Sequence, residues 1–192
     1  MIYLTLGLLI FLGAHSVRIF AEDWRNRQQV KLGAQIWRAA YSMVSLLGFF
    51  LIIWGFGVAR QTPVQLWSPP VAMRHLAGLL TLLSFVLLTA AYVPGNLIKA
   101  RVRHPMVAGV TFWAFAHLLA NGNAAHVLLF GSFLAWAVLD FLAARQRDQR
   151  DQVPHIVVKK GATGLAVALG VAAWIAFTLW LHGLLMGVRP FG

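Results

Sequence analysis

The feature that most constrains the fold is a run from Pro105 to Leu139 that contains no acidic and no basic residue. A membrane-spanning helix needs about 20 apolar residues, so this run is too long for one ordinary span. Turn-forming residues at Asn121-Gly122-Asn123 interrupt it, which predicts a helical hairpin over residues 105–143. The first arm, Pro105–Ala120, is about 24 Å long, shorter than the roughly 30 Å hydrocarbon core of a bilayer. We therefore expect Asn121 to cap that arm or to bond to backbone near the outer surface.

Other uncharged segments approach or exceed the length of a membrane span. Of all residues, 60% are hydrophobic and only 11% are charged, whereas a soluble domain has about 25% charged residues. The composition therefore predicts an all-α membrane protein, a polytopic bundle of six transmembrane helices in a single domain, 1–192. The uncharged segments outside the hairpin are Met1–Val17, with its helix reaching about Trp24, then Ala39–Ala59, Leu76–Val93 and Gly161–Val188.

The basic residues are confined to alternate loops. Of the 16 Lys and Arg residues, all but Arg60, Arg74 and Arg189 fall in or beside the first, third and fifth loops, the fifth being a solvated loop over Arg145–Lys160. Because cytoplasmic loops carry the excess of Lys and Arg, we expect a multi-pass membrane protein with both termini outside the cytoplasm. The net charge of +11 then reflects topology, and we expect contact with the lipid bilayer and no nucleic-acid partner.

Seven histidines are the chemical anomaly of so apolar a chain. His15 and His117 lie inside uncharged runs, where a histidine is costly without a partner. Counted along upright helices, both lie near mid-membrane, so they are predicted to face each other across one metal ion. His75 and His104 are the other candidate site residues. His126 and His182, near helix ends, and His155, in a loop, carry less weight.

Two neutral imidazoles suit haem iron better than zinc, which usually takes four ligands, or calcium, which takes oxygen ligands. The chain has no cysteine, which excludes thiolate ligands, disulfides and covalent haem attachment. The predicted cofactor is therefore haem b, with His15 and His117 as the metal ligands. A hydrophobic small molecule is a further expected partner, and the sequence leaves the oligomeric state open.

Several motifs resemble those of one family of bacterial membrane proteins. FLGAHS at His15, RHLAGLL at His75, RHPM at His104 and WAFAHLLANG at His117 resemble the NnrU family, which is associated with denitrification and nitric-oxide metabolism. The resemblance implies a bacterial inner membrane, in which both termini would be periplasmic. That family is similar to the 15-cis-zeta-carotene isomerases, which bind haem b through histidines matching His15 and His117. The cysteine of the isomerase motif is Ala114 here, which argues against a ligand switch to thiolate.

Three functions follow as hypotheses. The first is a haem-dependent isomerase of carotenoid polyenes, and the second is a non-enzymatic haem protein that senses nitric oxide or assists assembly of denitrification enzymes. The third is a methyltransferase, because RHP is also similar to a segment of the isoprenylcysteine carboxyl methyltransferases. That match is poor, since the tyrosine expected after the proline is replaced by Met106 and Val107.

Overall fold

The computed structural model describes residues 1–154 and 156–191, and most of these residues are helical. The five helices before the hairpin itself are α1, Ile2–Phe20; α2, Glu22–Leu32; α3, Ala34–Ala59; α4, Val71–Tyr92; and the short α5, Leu97–Val102. The later helices are α6, Pro105–Ala120; α7, Ala124–Arg150; α8, Ala162–Ala176; and α9, His182–Met186, joined to α8 by a π-helical turn over Phe177–Leu181.

Five apolar helical segments of the described chain are long enough to cross a membrane, and α6 is a shorter apolar helix of 16 residues. This confirms the predicted polytopic, all-α membrane fold and the shortness of the first hairpin arm. The five long segments are α1, α3, α4, α7 and the continuous stretch Ala162–Met186.

The long helices pack side by side in a row whose order differs from the order of the sequence. Helix α1 packs between α3 and α7, α7 continues to α6, α6 packs on α4, and α4 packs on α8. The row is therefore α3–α1–α7–α6–α4–α8. Although α3 and α4 follow each other in the chain, they do not pack against each other within the described residues.

Small residues set the close contact between α1 and α3. A Cβ atom on Gly48 would lie 2.7 Å from the backbone nitrogen of Phe11, and one on Gly7 would lie 2.6 Å from that of Ile52. Helices in membranes approach most closely where such small residues remove the side chain from the interface. This contact holds α1 against the second half of α3, and His15, one turn beyond Phe11, lies beside Tyr41 of the first half.

Hydroxyl groups join the helices of the other half of the row. The Ser84 hydroxyl of α4 donates to the Gly109 carbonyl of α6 at 2.7 Å, and the Thr89 hydroxyl lies 2.9 Å from the Ala166 carbonyl of α8. The Trp174 indole donates to the Thr81 hydroxyl at 3.1 Å. Such bonds fix rotation and depth between helices whose faces are otherwise uniformly apolar.

The turn between α6 and α7 confirms the predicted hairpin and the predicted cap. The Asn121 amide donates to the His117 carbonyl at 2.9 Å, and the Asn123 side-chain oxygen accepts from the His126 amide at 3.1 Å. Gly122 packs so closely on the Trp67 carbonyl that a Cβ atom would overlap it. The Gly122 carbonyl also accepts from the Trp67 amide, so the loop after α3 covers this turn.

Two predicted boundaries are wrong. The first helix ends at Phe20 instead of continuing to Trp24, and a separate polar helix, α2, stands where a basic loop was expected. Helix α7 continues to Arg150 through residues predicted to form a solvated loop. Both extra helical stretches are rich in Gln, Arg and acidic residues, which are compatible with helix but invisible to a hydropathy pattern. His155 lies outside the described residues.

Candidate functional site

A cavity of about 520 Å³ lies between α4, α6 and the α8–α9 segment. It reaches the end of the bundle that carries the turn between α6 and α7, and we name it the hairpin-turn cavity. Its lining is mainly apolar and aromatic, including Phe85, Leu88, Val110, Trp113, Trp174 and Phe177. A cavity of this size and character is typical of small-molecule and cofactor sites.

His117 lines this cavity three residues before the end of α6. Its Nδ1 lies 2.8 Å from the Trp113 carbonyl, and because a carbonyl oxygen only accepts, Nδ1 carries the proton. The ring also stacks on Phe130 with a centroid separation of 4.4 Å. The imidazole is thus held in one tautomer and orientation, and Nε2 is the nitrogen left for a ligand, as in many metal-binding histidines.

His182 is a second imidazole in the same cavity, and sequence reasoning gave it little weight. Its Nδ1 lies 2.6 Å from the Val188 carbonyl, so its Nε2 is also left for a ligand. A signal was present in the sequence, because His182 lies six residues before the end of its apolar run, in the same membrane half as His117. What the sequence did not reveal is that α6 and α8 both pack on α4.

The chain's last described residues close the hairpin-turn cavity. Val188, Arg189, Pro190 and Phe191 line it, together with Arg74 of α4. The Phe191 ring lies against Gly78 and 6.2 Å from the Trp174 ring, measured between centroids. Two guanidinium groups therefore accompany an otherwise apolar space, an arrangement that suits a flat apolar ligand carrying carboxylates.

His15 lines a different cavity, of about 730 Å³, at the opposite end of the bundle. We name it the basic-end cavity because it holds basic residues from α1, α2, α3, α5 and α7. The His15 Nδ1 donates to the Phe11 carbonyl at 2.7 Å, and its ring stacks on Phe11 at 4.2 Å. His104 lines the same cavity, and its Nε2 lies 3.0 Å from an oxygen of Asp148.

The structure does not bring His15 and His117 into a common slot. Met106 and Val107 of α6 line the cavity of His15, whereas His117 lies ten residues beyond Val107, about 15 Å along the helix axis. Two axial ligands of one iron must have their nitrogens roughly 4 Å apart. His15 and His117 thus line separate cavities, and the His15–iron–His117 pairing stays a prediction.

Aromatic rings fill the space between the two histidines. Phe133 of α7 lies 5.8 Å from Phe11 and 5.6 Å from Trp113, and these two rings are the direct neighbours of His15 and His117. His75, the alternative partner, is exposed near the start of α4 and does not line the hairpin-turn cavity, whereas its neighbour Arg74 does.

The metal-binding side chains that the protein brings together also limit which metal it could hold. Among the described residues, no three His, Cys, Asp or Glu side chains come together to hold a metal ion. A protein zinc site takes three or four such ligands, so neither cavity offers one. Two imidazoles in an apolar space remain compatible with haem iron.

Comparisons with known proteins agree with the sequence motifs. No curated protein and no solved structure matches the chain. The family model described as NnrU protein matches residues 3–190, almost the whole chain. The motifs around His15, His104 and His117, the bundle of apolar helices and this match lead to one conclusion: the chain is a membrane protein of the NnrU family.

Proposed function

We propose that this NnrU protein binds haem b in the hairpin-turn cavity, where His117 would hold the iron and His182 would be the second imidazole of the site. The observation that carries the proposal is the bond from His117 Nδ1 to the Trp113 carbonyl, beside an apolar cavity that His117 lines. That bond fixes the orientation of the ring and leaves Nε2 available.

The remaining residues of the cavity fit the same ligand. Trp113, Phe177 and Trp174 provide apolar surface for a flat macrocycle, and Arg74 and Arg189 would pair with its two propionates. The resemblance to the carotene isomerases and the association of NnrU proteins with nitric-oxide metabolism are the further support. Bound haem would supply an iron able to coordinate nitric oxide or to interact with a polyene double bond.

The protein's own contribution would be to hold the ring of His117, to exclude water and to admit an apolar partner. The stacking of His117 on Phe130 restricts the imidazole, and the segment Val188–Phe191 covers the cavity. We place the protein in a bacterial inner membrane with both termini periplasmic, so that the basic-end cavity faces the cytoplasm. The confinement of basic residues to one end of the bundle supports this orientation.

An absorbance spectrum of the detergent-solubilised protein, purified with haem supplied during expression, tests the proposal. We expect a Soret band that His117→Ala abolishes and that Arg74→Ala weakens. His182→Ala should retain haem with a shifted band, because one imidazole is lost from the site.

His126→Ala is the matched control, since His126 lies at the same end of the bundle but does not line the cavity. His15→Ala distinguishes this site from the histidine pair expected from sequence, and should leave the band unchanged. A Soret band insensitive to His117→Ala, or none in folded protein, would contradict the proposal. If haem is bound, product analysis with a cis-polyene separates an isomerase from a nitric-oxide sensor.

A further inference from the structure

The basic-end cavity brings together cations from five helices. Its basic residues outnumber its acidic ones, which are Asp140, Asp148 and Asp151. The cavity reaches inward from exposed side chains at the basic end to His15 and Trp136. The Lys and Arg residues that line it are Arg18, Arg25, Arg38, Lys99, Arg103 and Arg147.

The three carboxylates already have cationic partners. Asp140 pairs with Arg147 at 3.6 Å, and Asp148 pairs with Arg103 at 3.7 Å as well as with His104. Asp151 pairs with Arg150 at 2.7 Å. The acidic residues of the cavity are thus engaged, and they do not neutralise its remaining cations.

Three cations of the cavity contact only neutral oxygens in the described chain. Arg25 of α2 donates to the Asn26 side chain at 3.1 Å, and Arg38 of α3 donates to the Ala34 carbonyl at 3.1 Å. Lys99 of α5 donates to the Ala91 carbonyl at 2.7 Å. Three positive charges from three helices therefore line one cavity without a carboxylate partner, and their combined field favours an anion there.

The inner part of the cavity adds a neutral donor and apolar surface. The buried indole N–H of Trp136 has no hydrogen-bond partner within the described residues. An unpaired buried donor is costly, and because Trp136 lines the cavity, a ligand there could supply the missing acceptor. Ala14, Val17 and Val107 form apolar wall nearby.

From this arrangement we propose that the basic-end cavity is a binding site for a phosphate or diphosphate group, held by Arg25, Arg38 and Lys99. The arginine guanidinium, which can donate two parallel hydrogen bonds, and the compact lysine ammonium are the side-chain groups that bind phosphate most strongly in proteins. The apolar wall would suit the chain of a phosphate-bearing amphiphile, while a soluble phosphate ester would use the charged part alone. The proposal concerns a cavity separate from that of His117 and does not depend on haem.

Calorimetric titration of the detergent-solubilised protein tests this site with two probes, inorganic pyrophosphate and dodecyl phosphate. We expect saturable binding, weakened about fivefold or more by Arg25→Gln and by Lys99→Gln. Tighter binding of dodecyl phosphate than of pyrophosphate would support the site and identify an amphiphile as its ligand. Equal affinities would support the site and identify a soluble ester.

Arg27→Gln and Arg101→Gln are the matched controls. Each removes one positive charge two residues away on the same helix, from an exposed side chain outside the cavity. Lys99→Arg, which keeps the charge, should retain binding and shows whether Lys99→Gln acts through charge rather than through folding. Equal weakening by the cavity variants and their controls would overturn the proposal, as would a lack of saturable binding to folded protein.

Discussion

His15 and His117 have nearly the same local geometry and entirely different surroundings. In each case Nδ1 donates to the carbonyl of an aromatic residue four positions earlier, Phe11 or Trp113. Each ring also stacks on a phenylalanine, Phe11 for His15 and Phe130 for His117. The helix itself therefore prepares both imidazoles in the same way, with Nε2 left for a ligand.

The difference comes from the neighbouring helices. His15 has polar and charged residues around it, because α1 packs where the basic loops meet. Its ring shares the basic-end cavity with His104 and Lys99. His117 lies toward the other end of the bundle, in the mainly apolar cavity between α4, α6 and α8. Two similar histidine motifs can thus belong to unrelated sites, and a shared motif does not establish a shared metal ion.

The largest effect is expected from Gly48→Val, which should damage the basic-end cavity and spare the other one. A Cβ atom there would lie 2.7 Å from the Phe11 nitrogen and 2.9 Å from its Cα, so the α1 backbone must move. We expect a loss of about 3 kcal/mol of unfolding free energy. Thermal unfolding in detergent measures the loss, and pyrophosphate binding should fall while haem retention persists.

Gly57→Val is the control for that prediction, because a Cβ atom at Gly57 meets nothing within 4 Å. Similar destabilisation by both substitutions would show that the glycines matter for backbone freedom and not for the contact of α1 with α3. Loss of both binding activities in folded Gly48→Val protein would show that the two cavities are coupled.

Gly170→Val should have the reciprocal and somewhat smaller effect. Its Cβ atom would lie 2.7 Å from the Val86 Cα of α4, which forces α8 away and opens the hairpin-turn cavity one turn before Trp174. We expect about 2 kcal/mol of destabilisation. The Soret band should weaken while pyrophosphate binding is kept. Gly164→Val is the control, because Gly164 lies on the same helix and its Cβ atom would face open space. It should change neither the stability nor the Soret band. A similar loss there would show that the close contact with Val86 is not the cause.

Asn121→Leu should have the smallest effect of the three. It removes the hydrogen bond to the His117 carbonyl, at a cost of about 1 kcal/mol, and leaves an acceptor unsatisfied in an apolar setting. We expect a lower folded yield and a melting temperature lower by a few degrees, measured in detergent. Asn121→Ser keeps a short hydrogen-bonding side chain and serves as the control. An unchanged melting temperature for Asn121→Leu would contradict the cap.

The sequence was informative wherever a property depends on a short stretch of chain. The turn at Asn121–Asn123 and the cap by Asn121 follow from local turn chemistry, and the structure confirms both. The break after Phe20 and the helical tail of α7 were missed, because polar residues form helix and loop with similar ease. His182 was undervalued for another reason: its importance depends on α8 lying beside α4.

By itself the sequence determined that this is an all-α membrane protein, because long uncharged runs have no other stable fold in a bilayer. It also determined the shortness of α6 and the gathering of basic residues at one end. Only the tertiary structure decided the order α3–α1–α7–α6–α4–α8, and with it which histidines share a cavity. The physical reason is that lipid-facing and helix-facing surfaces are both apolar, so hydropathy marks each span without marking its neighbour.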